Sequence, residues 1–578
     1  MARVRLTRGL ALVAATSLFV TACSAAATPA PTAPPVTAAP VTAAPVTAAP
    51  ITAAPITAAP VTAAPVTEPP VTAAPVTEPP VTAPPATPAA TPAAVNDHTF
   101  DGVSISILTF NGPQVAEPLQ RRAPDWEALH GGHVNVVAVP YQNLYPKSLG
   151  DVSTGTNAFD AYVFDPQWLG DFVTPGYLQD LTSQVNADTT LNWQDVGPFF
   201  RDYNSTYNGK VYTIPLDGDF HMVYYRSDLL AKDGLKPPAT WDDYLTIAQK
   251  YNGQDLNGDG QPDYGSCIAK APGQQSFWWI ISLGAGLLQA KGTGEGAFFD
   301  TTQGKMTPLL GVNDAMTLAL DTYQKTETYG PPNEGALGVG DTRGLFTTGR
   351  CALTMDWGDI GTLTPGTYSQ DKTGATITPG WTQVLDRTSG KLVPCDATTC
   401  PNAVNGVNYA PFASSGGWSG AINSYVTDKD TSADHLTYLK KQQAASYSFL
   451  AYMSSPAQAN IDVTLGKTGF NPYRTSQFTN IQPWLDAGLS QDAANNYLGA
   501  IKDSLNSPNM VLDLRIPLTA QYESVALDKQ VSDFLAGNQD EATTEQNIVS
   551  AWNDITASAP GGEAAQVAAY NASLGVQR

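Results

Sequence analysis

Five histidines stand in 578 residues, and none forms an HExxH pair, so a zincin-type metalloprotease is excluded. No G-x-S-x-G elbow occurs: GGWSGA has Ala421 where the final glycine belongs. Lys467-Thr468 follows Gly466, but Ile461 replaces the upstream glycine of a P-loop. Cation is scarce as well, with 30 Lys+Arg against 52 Asp+Glu and a formal net charge of -22. Such a balance argues against nucleic acid and anionic lipid as partners. The apolar stretch Gly9 to Val20 is 12 residues, too short to span a bilayer. Cysteine is limited to five, with no C-x-x-C knuckle for zinc.

What is present is organised in three parts. Arg3, Arg5 and Arg8 precede that apolar stretch, and Val20-Thr21-Ala22 precede Cys23. This reads as a secretory signal over 1-22, excluded from fold reasoning. The cysteine at the cut resembles a bacterial lipobox, so Cys23 is the expected lipidation site and the anchor to an extracytoplasmic membrane face. A cleavable signal with an incidental cysteine is the alternative. Residues 23-97 repeat units such as VTAAP and VTEPP. Proline every fifth residue blocks helix and sheet, and about 70 residues at ~3.1 Å each reach on the order of 200 Å, a stalk. The rest, from about His98 to Arg578, is too long for one core and predicts two or more lobes.

In this part, SISILTF (104-110), VNVVAVPY (134-141) and DAYVF (160-164) are β-rich and apolar, with helical sequence between them. That alternation predicts an α/β fold with a parallel sheet. Ligands bind such sheets beyond the carboxyl ends of strands, which points to Asp165, Gln167 and Trp168. Asn208-Gly209 predicts a hairpin turn, and PPATWDDYLTIAQKY a helix capped by Thr240. Four cysteines in an exported chain predict two disulfides: Cys395 with Cys400, close in sequence, leaves Cys267 with Cys351.

DLNGDGQPDYG (255-265) places Asp255, Asn257, Asp259 and Asp263 at positions 1, 3, 5 and 9 of an EF-hand loop. Gln261 offers its carbonyl at position 7. Ser266 replaces the bidentate Glu of position 12, which removes a sensor role and leaves a structural Ca²⁺ or an ion-free turn.

FDAYVFDPQWL, YNGKVYTIPLDGD, YYRSDLL, PPATWDDYLTIAQK, LFTTGRCALTMDWGD, GGWSGAIN, SFLAYMSSPAQ and TGFNPYRTSQF, in this order, resemble the extracellular solute-binding proteins of carbohydrate ABC transporters, the cluster that includes maltose-binding protein. The resemblance implies a two-lobe, type II periplasmic-binding-protein-like fold, each lobe a mostly parallel sheet flanked by helices. Lobe 1 is expected over 98-217 plus 418-474, and lobe 2 over 218-417 plus 475-578. It implies a non-enzymatic, monomeric subunit of an ABC importer that takes a carbohydrate or polyol in the cleft and hands it to a permease. Its alginate-binding members carry one structural calcium in a loop similar to 255-263, with an acid where Tyr264 stands here. A sugar needs carboxylates and amides for its hydroxyls and aromatic faces for its rings. The expected ligand contacts are Asp165, Gln167, Trp168, Asp217, Asp219, Trp278, Trp279, Trp357, Asp359, Gly417, Trp418 and Arg474. A sensor module, a surface glycan-binding protein and a binder of non-sugar solutes are the alternatives.

Overall fold

The structure, a computed structural model, describes residues 96-112, 115-273, 276-466 and 468-576. The expected signal, Cys23 and the stalk lie outside the described residues.

Nine strands form the two main sheets: β1 Ser104–Phe110, β2 His133–Val139, β3 Ala161–Phe164, β4 Thr213–Pro215, β5 Met222–Arg226, β6 Tyr264–Cys267, β7 Cys351–Asp356, β8 Thr373–Ile377 and β9 Ser419–Ile422. The first sheet has the order β2-β1-β3-β9-β4. β1, β2 and β3 run parallel, joined by helices Ala116–His130 (α1) and Tyr141–Thr154 (α2). β9 is antiparallel to both β3 and β4. The second sheet has the order β8-β5-β7-β6, with β5 antiparallel to β7 and β8. In each sheet the one reversed strand is the first to enter after the chain has come across from the other sheet. The crossover itself dictates that reversal.

Local sequence accounts for the elements that frame the cleft. Asn208 and Gly209 both adopt positive φ (48° and 75°), as a two-residue hairpin between Thr206–Tyr207 and Lys210–Val211 requires. Helix Trp241–Tyr251 (α3) starts in a capping box: Thr240 Oγ1 accepts from Asp243 N (3.1 Å), and Asp243 Oδ2 accepts from Thr240 N (3.0 Å). Its Trp241, Tyr244, Ile247, Ala248 and Tyr251 face the second sheet at helical spacing. It packs so closely that a Cβ on Gly265 of β6 would lie 1.8 Å from the Ala248 carbonyl oxygen. Helix Ser276–Leu288 (α4) is buried on all sides, as its unbroken apolar sequence predicts.

Both expected disulfides are present. Cys267–Cys351 joins neighbouring strands β6 and β7, with a Cα–Cα distance of 6.0 Å across 84 residues. Cys395–Cys400 closes a loop of sequence separation 5, with a Cα–Cα distance of 5.1 Å. Loop-closure entropy grows with loop length, so the first bond constrains the unfolded chain more. Replacing Cys267 and Cys351 by Ser is expected to lower the unfolding free energy by about 2–5 kcal/mol. The Cys395→Ser/Cys400→Ser pair is expected to cost less, with urea denaturation of both double variants as the measurement.

Candidate functional site

Three passages of chain connect the sheets, and they meet at one carboxylate. Asp217 follows β4 and is wholly buried. Its Oδ1 accepts from Gly218 N (2.8 Å) and Asn471 N (2.6 Å), and its Oδ2 from Trp418 N (3.2 Å). Gly218 belongs to the first passage, Trp418 to the second, and Asn471 to the run that leads out of the first lobe. The approach is close enough to demand glycine: Gly417 holds φ 96°, and a Cβ there would sit 2.5 Å from Asp217 O. A Cβ on Gly218 would meet Pro472 O at 2.6 Å. Asp217 was expected to touch ligand. It does not line the cleft, because its oxygens are committed to main-chain donors.

Beside this node lies a cavity of 690 Å³ between the sheets, within the range typical of small-molecule sites. The first lobe contributes the residues just beyond β1, β2 and β3: Phe110 and Asn111, Tyr141 and Gln142, and Asp165. The second contributes Trp278 from α4, Trp357 and Asp359 beyond β7, and the start of helix Val339–Thr347 (α5), including Asp341 and Arg343. Asp219, Ser415, Trp418 and Gly469 come from the passages.

The walls are aromatic and acidic together. Trp418 stacks on Phe110 (5.6 Å, 8°) and meets Tyr141 edge-on (6.3 Å, 86°). Trp278 lies 6.2 Å from Tyr141 and 5.6 Å from Trp357, so the rings of the two lobes touch. Trp357 is fixed by its Nε1, which donates to Ser414 Oγ (2.7 Å). Tyr141 OH donates to Asp165 Oδ2 (2.9 Å), and Asn471 Nδ2 donates to Asp219 Oδ1 (2.8 Å). Arg343 Nη2 bonds Asp356 Oδ1 (2.7 Å) and Asp359 Oδ2 (2.6 Å), while its Nε also donates to Asp356 (3.0 Å).

Six of the twelve expected contacts thus border the cavity: Asp165, Asp219, Trp278, Trp357, Asp359 and Trp418. The other six lie behind its wall. Trp168 is buried against Tyr141, Tyr145 and Phe164. Gln167 turns its amide nitrogen to Asp513 Oδ2 (2.8 Å) and Glu523 Oε2 (3.0 Å). Trp279 stacks on His221 at 4.2 Å in the core. Gly417 serves the close approach to Asp217. Arg474 is buried and bonds Leu191 O (2.9 Å), Asn192 O (3.2 Å), Asp195 (3.4 Å) and Ser454 O, which pins the chain to the first lobe. Phe110, Tyr141, Ser415 and Arg343 were not foreseen. The strand-end rule that points to Asp165 points equally to Phe110, at the end of β1, and to Tyr141, just past β2.

The loop 255–263 is closed by its own carboxylates. Asp255 Oδ1 accepts from Gly258 N (2.7 Å) and Asp259 N (3.1 Å), and Oδ2 from Gly260 N (2.9 Å). Asp263 is buried, accepts from Leu256 N (2.8 Å), and pairs with Arg350 Nε (2.8 Å). Arg350 thereby supplies positive charge at the ninth position. Among the described residues, no three His, Cys, Asp or Glu gather as metal ligands.

The model of the family described as bacterial extracellular solute-binding protein matches residues 112–460, more than half of the chain. The chain belongs to that family. The members are binding proteins, not enzymes, and are extracellular. A probable ABC transporter-binding protein of Deinococcus radiodurans is 26% identical over 340 residues, 56% of this chain and 69% of that protein. A mannitol-binding protein of Pseudomonas aeruginosa is 25% identical over 51% of this chain and 61% of its own length. In structure, this solute-binding protein resembles an ABC transporter solute-binding protein of Agrobacterium radiobacter K84 solved with ribitol (TM-score 0.61, 20% identity, 78% of this chain and 98% of that one). It also resembles the maltose-bound MalE3 of T. maritima (TM-score 0.58, 18% identity, 78% and 98%). At these identities the likeness establishes the two-lobe, type II fold.

Burial sets the protonation of the binding protein's cleft. Loss of water pushes the Asp165 carboxyl up to about 7 and Asp513 up to about 6. Asp219 is raised well above its ordinary range, first by burial and then by the charge of Asp217 beside it. Such groups bind more protons folded than unfolded. Their stabilisation is complete below about pH 4, the unfolded carboxylate range, and is lost as pH rises through the folded values. The melting temperature of the ligand-free protein is therefore expected to fall between pH 5 and pH 8 in a thermal-denaturation series, and the fall to be shallower in Asp165→Asn. Asp217→Ala leaves three main-chain N–H groups without their acceptor, at about 1–3 kcal/mol each where they stay dry. A loss of roughly 3 kcal/mol or more in urea denaturation is the expected outcome.

Proposed function

We propose that this solute-binding protein captures a carbohydrate or polyol in the interlobe cavity and delivers it to an ABC permease. The observation that carries this is the composition of the cavity wall. Flat aromatic faces of Trp278, Trp357, Trp418 and Tyr141 alternate with the carboxyl groups of Asp165, Asp219 and Asp359. Rings stack on the C–H faces of a sugar or the carbon chain of a polyol, and carboxyl groups accept from the hydroxyls. A ligand without many hydroxyls would leave these buried acceptors unpaired, at a cost. The ligands named for the mannitol-binding relative and the ribitol-bound neighbour point to the same chemistry.

Delivery requires the lobes to close on the ligand about the three passages, a hinge movement. Lipidation at Cys23 and a stalk over 23-97 would keep the protein near its permease while leaving the lobes free, and the protein works as a monomer with no nucleic-acid partner. A structural Ca²⁺ in the 255–263 loop is a subsidiary part of the proposal. Asp255, Asn257, Asp259 and the Gln261 carbonyl would hold it, and Asp263 would have to exchange Arg350 for the ion.

A thermal-shift screen of sugars and polyols, with and without chelator, tests both parts. A stabilising sugar or polyol at millimolar concentration is expected, and a screen in which none stabilises would overturn the ligand class. Trp418→Ala is expected to weaken binding by about 1–3 kcal/mol, roughly ten- to hundredfold, by calorimetry. A melting temperature unmoved by chelator would assign the loop's order to Arg350 and its own turns.

A further inference from the structure

We infer that the natural ligand of the cleft is a polyhydroxylated compound bearing a protonated amine: an amino sugar, an aminocyclitol, or an oligosaccharide that contains one. This deepens the sugar-or-polyol reading and rests on it.

The charge on the cavity wall is one-sided. Asp165, Asp219, Asp341 and Asp359 border the cavity, and Arg343 is the one cation among the described residues that does. Arg343 is already committed, with Nη2 shared between Asp356 and Asp359 and Nε on Asp356. Asp341 has a partial counterpart in Gly338 N, which it caps at the start of α5 (2.9 Å). Asp165 faces no cation, and Asp219 forms no ion pair, although the charge of Arg343 reaches it and partly offsets its burial. These two aspartates are 1% and 7% exposed; Tyr141 OH donates to Asp165, which Ser415 also bonds, and Asn471 Nδ2 donates to Asp219, which shares a further hydrogen bond with the Asp217 carboxyl.

The layer behind the wall adds acid rather than base. Asp217, Asp513 and Glu523 are buried there, and Asp528 accepts from the cavity-lining Gly273 N (2.9 Å). Lys270, the one buried lysine among the described residues, is paired with Glu334. Arg515 donates to Tyr203 O (2.6 Å) and Thr206 O (2.8 Å) on the first lobe. A neutral sugar needs acceptors, but it gains nothing from a surplus of buried acid. That surplus is costly in a dry site, and the protein offsets it by holding protons on Asp165 and Asp219. An ammonium group brings the missing positive charge, and the rings of Trp278, Trp357 and Trp418 add attraction through their π faces. A bare metal ion is a poor fit, since hard cations take six or more oxygens and the wall is mostly aromatic.

The consequence is specific: binding of the amine converts protonated carboxyl groups to carboxylates, so uptake of an already protonated amine releases protons near pH 7. The test is titration calorimetry on the full chain with two matched pairs, acarbose against maltotetraose, and the β-1,4 glucosamine dimer against its N-acetylated form. Spermidine is the control for charge without hydroxyls. In at least one pair the amine-bearing member is expected to bind about tenfold tighter or more. Net proton release should appear with the glucosamine dimer on comparing buffers of different ionisation enthalpy, whereas the weakly basic secondary amine of acarbose takes up the carboxyl proton itself and should release none. Asp165→Asn keeps an acceptor for Tyr141 and removes the charge. It should reduce the preference to roughly threefold or less, and wild-type proton release stands as the independent readout if that variant folds poorly. Neutral members that bind as tightly as their amine partners overturn this inference and leave the carbohydrate reading intact. Spermidine binding as tightly as the sugars overturns it in favour of a simple polyamine. Failure of every amine, neutral sugar and polyol to bind overturns both.

Discussion

The carboxylate of Asp217 is the point on which the two-lobe arrangement turns. A chain that passes repeatedly between two sheets has to bring its connections side by side without side chains in the way. Here one acceptor collects main-chain donors from Gly218, Trp418 and Asn471. The neighbouring glycines make that geometry possible, because a Cβ at 218 or 417 would enter main-chain atoms of another passage. With the connections locked in register, the side chains next to the node have fixed directions. Asp219 and Trp418 then face the cavity from the hinge itself. Beside this node the apolar cluster of the first lobe continues through Phe200, Phe220 and Met222 into the second, so the hinge combines hydrogen bonds to one side chain with apolar packing.

The cleft places acids where an unliganded protein is worse off for having them. Stability alone would select apolar or amide side chains at Asp165 and Asp219, since a buried carboxylate without a cation is expensive. Second-lobe acids are handled differently: Arg343 bridges Asp356 and Asp359 with a planar group suited to two carboxylates. The contrast between a second-lobe wall paired with Arg343, a hinge acid that Arg343 reaches only at a distance, and a first-lobe Asp165 without a cation gives the cavity a polarity. Charge on a ligand would be drawn toward Asp165 and Asp219, and rings toward the tryptophans.

Much of this was legible in the sequence, for identifiable reasons. Strands β1 to β3 announce themselves because parallel strands buried on both faces are continuous apolar runs. The Thr240 cap and the Asn208-Gly209 turn depend on residues within a few positions of one another. The cysteine pairs follow from an even count and close spacing. The site was half legible because the strand-end rule locates loops but does not say which way a side chain points. Trp278 and Trp279 are adjacent on one helix, and only packing against His221 decides that Trp279 faces the core. Asp217 and Asp219 differ by two positions, and only the arrival of residues 418 and 471, more than 200 positions away, distinguishes staple from wall. Arg474 belongs to the same class: its partners at 191, 192 and 454 are remote in sequence.

Gln167 shows how the residues behind the wall complete the cleft. It stands in the first lobe, two positions past Asp165, and donates to Asp513 and Glu523 in the C-terminal run. Asp513 in turn accepts from Trp278 Nε1 (3.1 Å) and from Ser415 N (2.7 Å), both of which border the cavity. Burial pushes Asp513 up to about 6 and Glu523 well above its usual range; Asp513 raises Glu523 further, while the hydrogen bond from Glu523 lowers Asp513, so the pair keeps its proton on Glu523 near neutrality. That shared proton lets two acids and one amide pack together without a cation. The same contact sets the tilt of Trp278, whose ring meets Tyr141 from the opposite lobe. The carboxyl that holds a cavity-lining ring of the second lobe thus also receives the first lobe's Gln167, and parting the lobes would break the Gln167 contact and hydrate the carboxyl pair while Trp278 stays bonded to Asp513.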